Sequence, residues 1–482
     1  MTPYLQPRVD GDLRSLVEDH AWLHQLVDAL GSPVNVVLPD QLVRNVQRFR
    51  EVYRTHHLSG GIFFAHKANR SHALVRALAA VDAGIDVASL GELQHALASG
   101  FGPSRIMATG PKSREFLWLA ARTGVTVNVD SVAELTELAG IIAAHRLPRV
   151  TVLARLSGFV AAGANVMTRT SRFGIPAGNL GMLWETLAKH RDELDFAGVA
   201  YHLDTVGLPE KAAALESCLQ AMDEAGAQGL RPRAVDVGGG FGVSYLADER
   251  QWDAWTTELT GAVLGKRPPM TWNNHGYGLR NEGGKIRGTL SAYPGYRPTA
   301  GPAYLDRLLT TASTAHRRPL GTLLLDSLYD LHVEPGRALL DQCGAVVMRV
   351  AEVRDDGYGE TLVRLAGNGG DVALEQHGVL MDPVLLSRGR PAEAVPIGVF
   401  LTGNLCLEAD LLTRRKVFLP HRPSPGDLLV FVNTGGYLMD FSAGQALMQP
   451  SARTVAAHRR HGGWRWCLDE QFWPVEDREE TQ

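Results

Sequence analysis

Between about residues 60 and 340, short apolar runs alternate with stretches in which apolar positions recur every three or four residues. GIFFAHKAN is followed by SHALVRALAAVDAG, GIDVAS by GELQHALASG, RIMATG by SREFLWLAARTG, and TVNVD by SVAELTELAGIIAAH. VTVLARL, FAGVAYHL, AVDVGGG and LYDLHVEPGR carry the pattern to an eighth run. Nearly continuous apolar strands predict a sheet buried on both faces and therefore parallel, with helices as crossovers. Eight such units predict an α/β fold, a closed (β/α)8 barrel rather than an open doubly wound sheet.

Beyond residue 340 the rhythm changes. AVVMRVAEVR, TLVRLAG, AVPIGVFLTG and DLLVFVNTGG read as strands separated by Gly, Pro, Asp and Asn turns, which predicts a C-terminal antiparallel β domain. PVNVVLP, near Pro33, reads as a further strand of that sheet. The expected division is a barrel over 41–339, with a long insertion at about 246–320, and a β-sandwich or barrel-like domain from 1–40 and 340–482 that completes the active site. The insertion is rich in Gly, Asn and Pro but carries Trp252, Trp255, Trp272, Tyr277, Tyr293 and Tyr296. A loop of that length is functional more often than not, and its aromatics argue against disorder. It follows the seventh strand, on the face where such barrels hold their sites. A lid, a substrate-recognition element and an oligomer element all remain open for it.

Composition narrows the class. Apolar residues make up 45% and charged residues 21%, and 48 basic against 52 acidic residues give a formal net charge of −4. No block of one sign suggests a nucleic-acid or anionic-membrane surface. No run approaches the ~18 apolar residues of a membrane span, and the first residues lack a basic-then-apolar secretory pattern. Cys218, Cys343, Cys406 and Cys467 are too scattered for a disulfide framework or a cysteine-rich metal site. The expectation is a cytoplasmic enzyme with neither metal nor nucleic acid.

The candidate chemistry gathers at strand ends. Lys67 closes the first strand; held in a partly desolvated pocket, its amine becomes a neutral nucleophile able to form a Schiff base. A strand-end lysine that merely reaches solvent is the alternative. Gly238, Gly239 and Gly240 follow the seventh strand, where bare amides can cradle a phosphate. Glu334 and Arg337 flank a Pro-Gly turn after the eighth and can pair with a protonated ring nitrogen and a phosphate; a surface ion pair is the plainer reading. His202 ends the sixth strand, three residues before Thr205; an imidazole can lie against an aromatic cofactor and a hydroxyl can donate to phosphate. In the β domain, GNLCLEADLL carries Cys406, Glu408 and Asp410, and VNTGGYLMDF carries Tyr437.

Lys-Ala-Asn, GIDVAS, the GGGFG turn, EPGR and the late Cys and Gly-Tyr motifs occur in one order from about Pro33 to Tyr437. Together they resemble the fold-type III pyridoxal-phosphate decarboxylases, the group of diaminopimelate, ornithine and arginine decarboxylases, whose barrel is alanine racemase-like. The resemblance implies pyridoxal 5'-phosphate held on Lys67. It implies that Asp86, Glu92 and Arg155 line the cofactor, His202 stacks on its ring and Glu334 pairs with the pyridine nitrogen. Gly238, Gly239, Gly240, Thr205, Arg337 and Tyr437 would bind its phosphate. Cys406 would arrive across a homodimer interface to protonate the substrate carbon after carbon dioxide leaves, so that the two copies share their active sites.

Two departures bear on the substrate. The family's His-x-Gly-Ser reads His202-Leu203-Asp204-Thr205 here. Where relatives acting on diamino substrates place an acid directly after the cysteine, this chain has Leu407, with Glu408 next and Asp410 beyond. These substrate-side positions disfavour lysine, ornithine and diaminopimelate and point to another amino acid, or to a conjugated or carrier-bound derivative. A racemase or epimerase on the same barrel is the alternative, although Glu334 and Asn69-Arg70-Ser71 fit a decarboxylase better. A non-catalytic regulatory homologue would have lost the cofactor residues that are present here.

Overall fold

The computed structural model describes residues 3–159, 171–204, 207–390, 395–439, 441–460 and 462–474. The chain forms two compact units. One comprises Met1–Leu42, Val243–Pro298 and Leu340–Phe472; the other comprises Val43–Gly242, Thr299–Leu339 and Trp473–Gln482.

The second unit is the expected barrel. Phe63–Ala65, Gly84–Val87, Ile106–Ala108, Thr126–Val129, Val150–Ser157, Leu194–Tyr201, Ala234–Asp236 and Asp330–His332 pair in parallel in chain order, with short Ile175–Pro176 beside the fifth. Ile62 bridges Val333 in parallel, and the Phe63 amide donates to Val333 O at 2.8 Å. The first and eighth strands therefore close the ring. Its interior is packed by Phe63, Met107, Leu153, Ala197 and Ala234, large side chains set against small ones. Gly84 belongs to that fit, because a Cβ there would lie 2.4 Å from the Phe63 ring.

Serine caps fix where the outer helices begin. Ser71, Ser89, Ser113 and Ser131 precede helices His72–Ala79, Leu90–Ala98, Arg114–Thr123 and Val132–His145. Their hydroxyls accept from the Leu74, Glu92, Phe116 and Glu134 amides at 3.2, 3.2, 3.3 and 3.1 Å. Each such cap contributes about 1 kcal/mol and shortens the loop at the strand's C-terminal end.

In the first unit, nine strands form one sheet among the described residues. Val34–Val37 joins it as expected, antiparallel to Gly344–Asp355. The sheet is nevertheless mixed rather than purely antiparallel. Val34–Val37 runs parallel to Arg453–Arg460, and Thr361–Leu365 runs parallel to Ile397–Thr402. Both parallel pairs join strands separated by long stretches of chain, not by hairpin turns. Helices Gly11–Glu18 and His20–Leu30 cover one face through Leu13, Leu16, Leu23 and Leu26, packed with Val34, Val347, Val430 and Val455.

The stretch read as one insertion at 246–320 divides between the two units. It is not a loop. Glu249–Val263 is a helix, Arg280–Glu282 and Lys285–Arg287 form a hairpin, and Gly301–Thr310 and Leu320–Asp326 are helices of the barrel unit. Main-chain pairing draws the first part to the sheet unit: the Trp272 amide donates to Arg414 O at 2.6 Å and the Lys416 amide to Met270 O at 2.9 Å. The Tyr277 hydroxyl meets Glu375 Oε1 at 2.8 Å, and the Trp255 ring packs between Trp252 and Tyr277.

Candidate active site

Lys67 lies just past the first strand, in a 3-10 turn over His66–Ala68, with its neighbours His66 and Ala68 buried while it is itself exposed. It lines a cavity of about 350 Å3 together with Asp86, Arg155, His202, Asp204 and Glu334. Side chains from the ends of the first, second, fifth, sixth and eighth strands thus line one cavity. Two other lysines of this unit are engaged elsewhere. Lys112 Nζ donates to Gly110 O, Asn128 O and Glu134 Oε1 at 2.7, 2.6 and 2.8 Å, and Lys211 donates to Gly239 O.

The glycine turn is dictated first by its neighbours. Gly238 has φ +63°, and a Cβ there would stand 2.5 Å from Tyr201 O; a Cβ on Gly239 would stand 2.8 Å from Glu334 O. The Gly238 amide donates to Asp236 Oδ1 at 2.7 Å and the Gly239 amide to His202 Nδ1 at 3.2 Å. Both amides therefore serve the turn itself, where bare donors had been expected. Gly240 continues it at φ +87°.

His202 is held between acids, with Nδ1 3.7 Å from Glu334 Oε2 and Nε2 3.3 Å from Asp204 Oδ1. The imidazole holds the exposed Asp204 carboxyl down to about 2, against a smaller opposing effect of desolvation. Burial alone would raise Glu334, but His202, then Lys67 and Arg155, hold it below the usual carboxylate range. Asp86 goes the other way: burial, then the charge of Glu334, pushes it well up, although Lys67 and a hydrogen bond from Thr109 oppose the rise. Arg155 stands 3.7 Å from Asp130 and over the Phe173 ring at 4.9 Å. Arg337 is half-buried, three residues past Glu334. Glu92 stands behind the first strand's end, its Oε2 accepting the Ala88 amide at 2.7 Å and its Oε1 3.4 Å from His66 Nδ1. Thr205 lies outside the described residues.

Cys406, Leu407 and Glu408 are exposed on the sheet unit. Asp410 is buried beneath them, and its oxygens accept the Gly369 and Leu405 amides at 2.9 and 2.8 Å. This carboxylate staples the loop, which leaves Glu408 as the exposed acid of the motif. Tyr437 adopts φ +67° and packs against Phe441, ring centroids 5.8 Å apart.

Two buried charged neighbours of the cavity residues escaped the sequence reading. Asp236 is fully buried, and burial, then Glu334, pushes its carboxyl well up. A protonated Asp236 next to an ionised Glu334 keeps one negative charge where two would repel. Lys211 is also fully buried, over the Tyr201 and Phe241 rings at 5.5 and 5.0 Å, and desolvation brings it down to about 8 against the pull of Asp236 and Glu334. A signal for Lys211 was available. It occupies the stripe Lys211, Leu215, Cys218, Met222 and Ala225 on the buried face of helix Leu208–Ala227.

Comparison with known proteins agrees with this geometry. The family model for the pyridoxal-dependent decarboxylase, pyridoxal binding domain, matches residues 39–282. An uncharacterized protein of Sinorhizobium fredii is 30% identical over 418 residues, covering 85% of this chain and 84% of its own. Diaminopimelate decarboxylase of Methanothermobacter thermautotrophicus is 26% identical over 434 residues, 87% of this chain and 85% of that protein. Among solved structures, diaminopimelate decarboxylase from M. jannaschii, in co-complex with L-lysine, superposes with a TM-score of 0.69 at 18% identity, covering 92% of this chain and 90% of that one. Arginine decarboxylase of Paramecium bursaria Chlorella virus gives a TM-score of 0.67 at 17% identity, over 91% and 100%. These structures share the barrel-plus-sheet fold.

The chain therefore belongs to the pyridoxal-dependent decarboxylases of fold type III. It is an amino-acid decarboxylase whose cofactor is pyridoxal 5'-phosphate. Its residues fit that group: an exposed amine at Lys67 lines the cavity, and Glu334 Oε1 is buried with no hydrogen-bond partner among the described residues, as an acceptor reserved for a ring N–H requires. Among the described residues no cluster suited to a metal occurs and no helix is long and apolar enough to cross a membrane.

Proposed function

We propose that Lys67 anchors the cofactor through its ε-amine, that Glu334 Oε1 accepts from the pyridine nitrogen, and that His202 lies against the ring. Arg337 and the turn at Gly240 would take the phosphate. Bound there, pyridoxal phosphate would supply an electron sink for the pair released when the substrate's α-carboxylate departs as carbon dioxide. Around it the protein's work is electrostatic. Glu334, kept ionised by His202, Lys67 and Arg155, holds a proton on the ring nitrogen. Asp236, kept protonated, limits the negative charge behind it. His202, fixed by the Gly239 amide, orients the ring and excludes water from one face.

Cys406, with its exposed thiol, would reach the substrate carbon from a second copy of the chain and deliver the proton that replaces the carboxylate. The exposed Leu407 beside it suits a substrate without a distal ammonium at that point, with Glu408 facing any polar extension. The substrate in this reading is an amino acid other than lysine, ornithine or diaminopimelate, or a conjugated or carrier-bound derivative.

The observation that carries the reading is the buried Glu334 Oε1, without a hydrogen-bond partner among the described residues, in one cavity with Lys67 and His202. The test is carbon dioxide release across a panel of amino acids, including diamino, acidic and conjugated ones. Release from a neutral, acidic or conjugated member in preference to lysine-like ones is expected. Preference for diaminopimelate would overturn the substrate reading, and α-deuterium exchange without carbon dioxide release would overturn the proposed chemistry.

A further inference from the structure

We propose that Lys211 is a positioning residue for the cofactor's phosphate and acts through the Gly239–Gly240 peptide. Its ammonium holds the Gly239 carbonyl, and so aims and strengthens the Gly240 amide. This inference rests on the reading that the turn at Gly240 takes the phosphate. It adds a residue that never touches the cofactor. The place of Lys211 in the sequence is costly twice over. It is the fourth residue of helix Leu208–Ala227, where the helix dipole disfavours a cation. It is also fully buried, where an ammonium loses its hydration.

The surroundings give that ammonium one direction. The Tyr201 hydroxyl donates to Lys211 O at 2.9 Å and fixes the start of the helix. The Tyr201 and Phe241 rings flank Nζ, with centroids at 5.5 and 5.0 Å. Between them Nζ donates to Gly239 O. Asp236, Glu334 and Asp204 attract the amine at longer range, and desolvation outweighs them to bring it down to about 8. Among the described residues no carboxylate forms an ion pair with it. At neutral pH the amine is therefore mostly protonated, and its charge falls on the Gly239 carbonyl.

Gly239 is pinned at both of its backbone groups. Its amide donates to His202 Nδ1 at 3.2 Å, and its carbonyl accepts from Lys211. The next amide differs. Gly240 N–H makes no hydrogen bond with the described residues, and Gly240 is half-buried at φ +87°. In a planar trans peptide the C=O and the following N–H point in opposite directions. Holding Gly239 O on Lys211 therefore turns Gly240 N–H away from that helix. A cation on the carbonyl also polarises the peptide, which makes its N–H a stronger donor to an anion. A phosphate monoester at this turn thereby meets a donor whose strength follows the protonation of a lysine behind it.

Two measurements test the coupling, the first without cofactor. In apoprotein carrying nitrogen-15 glycine and carbon-13 lysine, the Gly240 amide and Lys211 Cε should titrate with one shared midpoint near 8. The Gly240 step should vanish in Lys211→Met. Persistence of the step in that variant would assign it to His202, Asp204, Asp236 or Glu334, the other charged groups around the turn, and would overturn the inference. A Gly240 amide that does not move while Lys211 titrates would do the same. This wild-type arm needs no variant, so misfolding of Lys211→Met cannot shelter the proposal.

The second measurement separates phosphate from ring by titrating apoprotein with pyridoxal 5'-phosphate and with pyridoxal. Lys211→Met should weaken pyridoxal 5'-phosphate binding roughly tenfold and leave pyridoxal binding unchanged. Equal loss for both ligands, or no loss for either, would overturn the inference while leaving the phosphate reading in place. If the wild-type Gly240 amide fails to shift when pyridoxal 5'-phosphate binds, the phosphate reading itself falls, and the role of Lys211 falls with it.

Discussion

His202 Nδ1 sits 3.7 Å from Glu334 Oε2 while the same nitrogen meets the Gly239 amide at 3.2 Å. A base, an acid and the glycine turn are thereby tied together at the ends of the sixth, seventh and eighth strands. Burial works to raise the Glu334 carboxyl, and His202, then Lys67 and Arg155, hold it below the usual carboxylate range. Glu334→Gln should retain cofactor, seen as bound absorbance, yet lose roughly a hundredfold in kcat. Retention of full kcat would show that the ring nitrogen is served by another group.

Asp236 tests the other half of that arrangement. Its folded-state pKa is pushed well above 3.8, chiefly by burial. Above about pH 4 the folded form therefore holds a proton that the unfolded chain has released, and stability falls as pH rises. Asn keeps an oxygen for the Gly238 amide and places no second charge beside Glu334. Urea unfolding of Asp236→Asn should show equal or greater stability at neutral pH and a flatter pH profile. A large loss of stability at pH 7 would mean that Asp236 is ionised.

Lys211 predicts a slope of the opposite sign. Desolvation brings it to about 8 from 10.5. Between those values the unfolded chain is protonated and the folded one is not, so stability rises with pH by up to ~1.4 kcal/mol per unit. Lys211→Met should remove that rise. If both proteins follow the same curve from pH 8 to 10.5, Lys211 is not the desolvated amine described here.

Cys406→Ala should bind cofactor normally while protonating the product incorrectly, which deuterium incorporation read by mass spectrometry would reveal. Unchanged turnover with unchanged product would remove Cys406 from the chemistry.

Much of the barrel was legible because its signals are local. Apolar runs such as GIFFA and TVNV must be buried on both faces, and the residues that follow them, Lys67, Asp86, Arg155, His202 and Glu334, arrive at one end of the ring by topology alone. What was not legible depends on contacts between distant segments. The aromatic stretch after Tyr245 looked irregular because its order comes from pairing with Arg414 and Lys416. Helices Gly11–Glu18 and His20–Leu30 were passed over beside the stronger barrel rhythm. Asp410 looked like a substrate acid, but two backbone amides, Gly369 and Leu405, claim it. The upward shift of Asp236 comes from its burial, then from Glu334, nearly a hundred residues away in sequence, and no spacing rule reports either.

The central claim is that Lys67 is the lysine to which the cofactor is bound. Borohydride reduction of the cofactor-loaded protein, followed by peptide mass mapping, tests it directly. The account predicts a phosphopyridoxyl adduct on Lys67 alone, abolished in Lys67→Ala. An adduct on Lys211 or Lys112, or none at any lysine, would contradict it.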